Sequence, residues 1–156
     1  MPNYYKYCLW MLLFGVFACG KRPPKEPVLT YKSISKYILN QNRQDSVLVE
    51  FGFTDGDGDL GSSTDYQIFV RDDRTDSIVG QYKIPPFDNP DKKICREGTM
   101  RVIVYAGCCI YPNRTSCYPN ASIPLDSVKY KVQVQDRAGN VSNMIETELI
   151  QLDCTR

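Results

Sequence analysis

Val47-Leu48-Val49-Glu50-Phe51-Gly52-Phe53-Thr54 runs without a break into Asp55-Gly56-Asp57-Gly58-Asp59-Leu60-Gly61. In the first half, Val47, Val49, Phe51 and Phe53 share one face at a period of two, the pattern of a strand with one side buried. In the second half, three aspartates alternate with glycines. Glycine lets a short loop fold its carboxylates inward, and carboxylates brought together repel unless a cation stands among them. The stretch therefore reads as a β-strand that delivers a candidate calcium loop made of Asp55, Asp57 and Asp59. The competing reading is a series of turns in which each aspartate accepts hydrogen bonds from nearby backbone N–H groups. The EF-hand pattern is not met, because its glycine position holds Leu60 and the place of its bidentate glutamate holds Tyr66. Further ligands must come from elsewhere, and Asp65 is one candidate.

Working outward, the rest of the chain is also strand and turn. Residues 28–39 are rich in β-formers but alternate poorly, which predicts an edge strand broken near 33–35. A polar turn over 40–45 leads into the strand already quoted. Tyr66, Ile68 and Val70 alternate with Gln67, Phe69 and Arg71; Asp72-Asp73-Arg74-Thr75-Asp76 turns the chain, and 78–84 returns it. Pro85-Pro86 ends the pairing, since proline has no N–H to give a ladder. A strand over 100–106 lies between two long loops, 87–98 and 107–126. Val128, Tyr130, Val132 and Val134 against Lys129, Lys131, Gln133 and Gln135 is the cleanest alternation in the chain. Asp136-Arg137-Ala138-Gly139-Asn140 predicts a hairpin turn, and 141–152 closes the sheet. No segment keeps a helical period. The pattern predicts an all-β protein, an antiparallel β-sandwich of about seven short strands.

The start of the chain reads as an address. Residues 7–17 are apolar but only about half as long as a helix that crosses a bilayer. Val16-Phe17-Ala18-Cys19-Gly20 follows and resembles a bacterial lipobox, in which a small residue precedes the lipid-modified cysteine. On that resemblance, residues 1–18 are a lipoprotein signal peptide and Cys19 carries the lipid. Residues 19–27 then form a proline-rich tether, and 28–156 form the folded domain. Gly20 after the cysteine resembles the outer-membrane class of lipoproteins. Surface-exported lipoproteins of Bacteroidota tend to carry acidic residues just after the cysteine, so the basic spacer Lys21-Arg22-Pro23-Pro24-Lys25 implies, on that resemblance, the periplasmic face, with surface exposure as the alternative.

Asp136-Arg137-Ala138-Gly139-Asn140-Val141-Ser142-Asn143 looks like the last hairpin of bacterial immunoglobulin-like domains. With the lipobox and the Phe53-to-Gly61 loop, the whole chain resembles small lipoproteins of Bacteroidota that carry an immunoglobulin-like domain. The resemblance implies no known activity. It does imply a topology in which the loop after the second strand and the loop of the last hairpin lie at one end. That would bring Asp136 and Asn140 towards Asp55, Asp57 and Asp59, and the first strand would start there too. Three Asp-Ser-hydrophobe triplets, at Asp45, Asp76 and Asp126, also fit an O-glycosylation motif of that phylum; each fits equally well as a turn that enters a strand.

Composition narrows the function. The chain has 156 residues and a net charge of +1, with no basic stripe, so nucleic acid is not an expected partner. It has no histidine, which removes His-based acid/base chemistry, His-containing triads and His-ligated metals. Ser33-Ile34-Ser35-Lys36 matches the S-x-x-K of serine acyl-enzymes but falls on a predicted strand without a partner motif, and an enzyme is not expected. Of the seven cysteines, Cys8 leaves with the signal peptide and Cys19 is lipidated. If the strands alternate in direction, Cys108, Cys109, Cys117 and Cys154 gather at the end away from the tether. Adjacent Cys108 and Cys109 point to opposite sides, so one should bond Cys117 and the other Cys154, leaving Cys95 unpaired. Between them, Tyr111-Pro112-Asn113 and Tyr118-Pro119-Asn120 form a near-repeat. Tyr111, Asn113, Tyr118 and Asn120 have the composition of a stiffened recognition loop, or of a stapled loop that covers the sheet end. The expected function is a membrane-anchored, non-catalytic binding or structural module. The alternatives are a calcium-dependent adhesion or assembly module and an envelope inhibitor or immunity protein. A partner would be an envelope protein or a glycan.

Overall fold

The computed structural model describes residues 23–43, 45–87, 95–112 and 116–155. Among these there is no helix, and ten strands: β1 (Val28–Ile34), β2 (Ile38–Asn40), β3 (Ser46–Asp55), β4 (Ile68–Asp72), β5 (Ile78–Tyr82), β6 (Arg96–Tyr105), β7 (Leu125–Val128), β8 (Tyr130–Val134), β9 (Ile145–Glu146) and β10 (Ile150–Asp153). They form three sheets, in the orders β1-β3-β6, β5-β4-β8-β9 and β2-β10-β7, which pack together as a β-sandwich.

The fold class is the one the alternation predicts, but the strand count is ten rather than about seven, because long predicted strands are divided. Residues 28–39 split into β1 and β2, which belong to different sheets. Residues 141–152 become an isolated bridge at Val141, then β9, then β10. Nor is the pairing wholly antiparallel: β10 runs parallel to β2, with Leu152 beside Leu39. β7 and β8 follow one another with only Lys129 between them, and so serve two sheets in turn.

β3 is the spine. It pairs with β1 on one side and along its whole length with β6 on the other, from Ser46 opposite Tyr105 to Asp55 opposite Arg96. Its apolar face is inside: Val47, Val49 and Phe51 are fully buried and Phe53 nearly so, whereas Leu48 is exposed. On β8 the same holds for Tyr130, Val132 and Val134. Burying a side chain such as Phe51 stabilises the fold by roughly 2–3 kcal/mol. One apolar cluster, drawn from all three sheets, joins these faces.

The register gives the molecule two distinct ends. The proline-rich segment before β1 enters where Val28 pairs with Thr54, next to the acidic loop. At the opposite end, the chain leaves β6 at Tyr105, opposite Ser46, and enters the cysteine loop. There Gln41 donates its backbone N–H to Asp153 O at 3.3 Å, which closes β10 onto that end.

Candidate metal centre

β3 ends its buried face on a carboxylate. Asp55 has no exposed surface. Its Oδ2 accepts the Leu60 backbone N–H at 2.9 Å, but its Oδ1 has no hydrogen-bond partner. The loop turns back because Gly58 and Gly61 take positive φ, 73° and 101°. Leu60 then drops into the core, 2% exposed. The returning chain is pinned by Gly61 N–H to Gln67 Oε1 at 2.9 Å and by Ser62 N–H to Ile84 O at 2.8 Å.

This path brings one carboxylate oxygen each from Asp55, Asp57 and Asp59 within 4.8 Å of one another. The buried Oδ1 atoms of all three lack a hydrogen-bond partner. A buried, unpartnered carboxylate oxygen is costly, and three together cost more. The titration of the group carries the same mark. Burial, and then the charge of Asp57, push the Asp55 carboxyl up, against the N–H groups of Leu60 and Gly58. Burial, followed by the charges of Asp136, Asp57 and Asp55, pushes Asp59 up to about 6, with Arg137 opposing. Two guanidinium groups brace the loop through its carbonyls: Arg96 Nε donates to Gly58 O at 3.3 Å and Arg137 Nε to Asp59 O at 2.8 Å.

The structure brings Asp136 to this end, at the close of β8, buried and felt electrostatically by Asp59. Its two oxygens accept the backbone N–H and the side-chain amide of Asn140, each at 2.8 Å. Asn140 is thus the turn partner of Asp136 through its two N–H donors, and its Oδ1 takes no part in either bond. Asp65 does not join the group. It folds back on its own turn, accepting Ser62 Oγ at 2.8 Å and Thr64 Oγ1 at 3.1 Å, and these bonds hold its carboxyl low. Both bonds fall on Oδ2, and the cluster that the structure brings together is Asp55, Asp57 and Asp59, without Asp65.

One contact at this end was not legible in the sequence. The proline-rich segment before β1 lies against the acidic loop, with Gly56 N–H donating to Pro24 O at 3.1 Å. Proline-rich spacing signals an extended segment, not where it docks.

At the far end the disulfides are Cys108–Cys117 and Cys109–Cys154, and Cys95 is free and exposed. The tyrosine loop divides. Tyr118 is 67% exposed, but Tyr111 is buried, and its hydroxyl donates to Tyr118 O at 3.0 Å. Asn120 is buried as well; its Oδ1 accepts Ser122 N–H at 3.0 Å and its own N–H donates to Cys154 O at 2.8 Å. Tyr111 and Asn120 therefore build the loop instead of presenting a surface. Asn113 and Cys19 lie outside the described residues.

A second feature that the sequence did not announce is a cleft of about 520 Å³ between the edges of β5 and β6. Phe53, Ile68, Ile84, Met100 and Val102 are among its lining residues, and Phe87 stands at one wall. Strand periodicity marks which residues face inward but not where two sheet edges part. No protein-family model, no curated protein and no solved structure matches this chain.

Proposed function

We propose that the protein is a lipid-anchored, non-catalytic module of the bacterial envelope whose acidic loop binds calcium. The observation that carries this reading is the convergence of Asp55, Asp57 and Asp59 with buried oxygens that no hydrogen bond satisfies. An all-oxygen, carboxylate-rich donor set suits a hard cation. Calcium, at about 2.4 Å from each oxygen and tolerant of irregular shells, suits it better than magnesium, which demands a tighter octahedron. The lipobox reading of Cys19 supports the anchor, and the outer membrane, facing the periplasm, is the proposed location. Bound calcium would stiffen the tether end for adhesion or assembly with an envelope protein or glycan.

Titration calorimetry of the full chain in detergent tests this. Calcium should bind at one site. Asp57→Asn should weaken binding by roughly tenfold or more, since losing even an outer partner of a metal site costs that much. Equal calcium affinity in Asp57→Asn would remove the proposed ligand set.

A further inference from the structure

Gly56 stands between two of the proposed ligands, Asp55 and Asp57, and it is the residue on which the tether rests. Its N–H donates to Pro24 O at 3.1 Å. A Cβ at this position would lie 2.1 Å from Pro24 O and 2.5 Å from Pro23 O. Both distances are collisions with backbone, which a side-chain adjustment cannot relieve. The positive-φ glycines among the described residues are Gly58, Gly61 and Gly139, and Gly56 is not one of them. Its backbone would accept alanine. What demands glycine here is the approach of the tether.

Further along, the chain is held by the start of the domain itself. Pro27 is buried, whereas Pro23, Pro24, Lys25 and Glu26 are exposed. Leu29, just inside β1, exchanges two hydrogen bonds with the Asn143 side chain, at 2.7 and 3.0 Å. The Gly56 contact thus holds the exposed stretch 23–26 against the acidic loop. The Gly56 N–H lies in the peptide plane that joins Asp55 to Gly56. Its direction therefore follows the backbone of Asp55, a proposed ligand, and the turn at Gly56 that leads on to Asp57, the next.

We propose that calcium at the acidic loop clasps the tether onto the domain, and that without calcium the tether is released. The proposal rests on the calcium reading above. With the ion in place, the two carboxylates that flank Gly56 are drawn to one point and its N–H is held towards Pro24 O. Without it, the like charges of Asp55, Asp57 and Asp59 push apart, and a glycine between them gives the loop freedom to turn that N–H away. By linkage, tether docking must strengthen calcium binding by the same factor that calcium strengthens docking.

Amide hydrogen exchange on the full chain in detergent, with calcium and then with EDTA, reads the clasp directly. The Gly56 amide should exchange roughly tenfold faster in EDTA, within the usual range of site coupling. Trypsin should cut after exposed Lys25 faster in EDTA by a similar factor. Gly56→Ala, which keeps every carboxylate, should be cut quickly at Lys25 in both conditions and should bind calcium several-fold more weakly. If calorimetry shows calcium binding while Gly56 exchange and Lys25 cleavage stay the same with and without the ion, the clasp is overturned and the calcium reading survives. If no calcium binds, both fall together.

Discussion

Asp72 is a carboxylate inside the sandwich, 4% exposed, and Arg74 is what makes it tolerable there. The guanidinium meets both Asp72 oxygens, at 2.9 and 2.5 Å, and reaches Asp126 at 2.6 Å. Burial alone would push Asp72 up, but the hydrogen bonds and charge of Arg74 outweigh it and hold the carboxyl below its usual range. Arg74→Met would leave that carboxylate buried without its cation. The expected loss is about 3 kcal/mol or more in urea unfolding, and a loss under half of that would show that water reaches the site. Asp59 is the opposite case, with its carboxyl pushed up to about 6 from 3.8 and no cation strong enough to bring it down. A raised carboxyl means that the folded, calcium-free protein holds a proton that the unfolded chain has released. Ionised Asp59 therefore destabilises the calcium-free fold above pH 6, and that penalty disappears as pH falls through 6 towards 4. Calcium competes with the same proton. Its effect on the unfolding midpoint should be full at pH 7.5 and shrink below pH 6, and an undiminished effect at pH 5 would exclude Asp59 as a ligand.

At the scale of the element, β3 and β8 were legible because each has one wet and one dry face, and alternation records that directly. The strand predicted over 141–152 was not, because side chains take over part of its ladder. Ser142 Oγ accepts the Val134 N–H at 2.9 Å and Thr147 Oγ1 accepts the Tyr130 N–H at 3.0 Å. A hydroxyl that replaces a backbone carbonyl looks, in sequence, like any other serine or threonine in a strand. The sequence predicts a break near 33–35; it falls at 35–37, and the separation of β1 and β2 into two sheets is a tertiary choice. In the acidic loop, the aspartate–glycine repeat announced Asp55, Asp57 and Asp59. Asp65 stands apart from them, and nothing in its spacing reveals that Ser62 and Thr64 draw its Oδ2 into a local turn. Thr147→Val keeps the shape and removes the acceptor, leaving the Tyr130 N–H buried. That should cost about 1–3 kcal/mol in chemical denaturation, and a neutral result would show that the backbone closes the gap itself.

Across the whole molecule, the two ends do different work. The far end is covalently closed by Cys108–Cys117 and Cys109–Cys154. The end where β1 starts has no such crosslink among the described residues and carries buried, unpartnered carboxylate oxygens; on the calcium reading, its order depends on the ion. The measurement that bears most directly on this account is the thermal unfolding midpoint of the full chain in detergent at pH 7.5, first in excess EDTA and then in millimolar calcium. A ligand that binds only the folded state stabilises it by about 2.7 kcal/mol at a hundred times its dissociation constant. The account predicts a rise of several degrees with calcium that is absent from Asp57→Asn. An equal midpoint in calcium and EDTA, or an equal rise in Asp57→Asn, would contradict it.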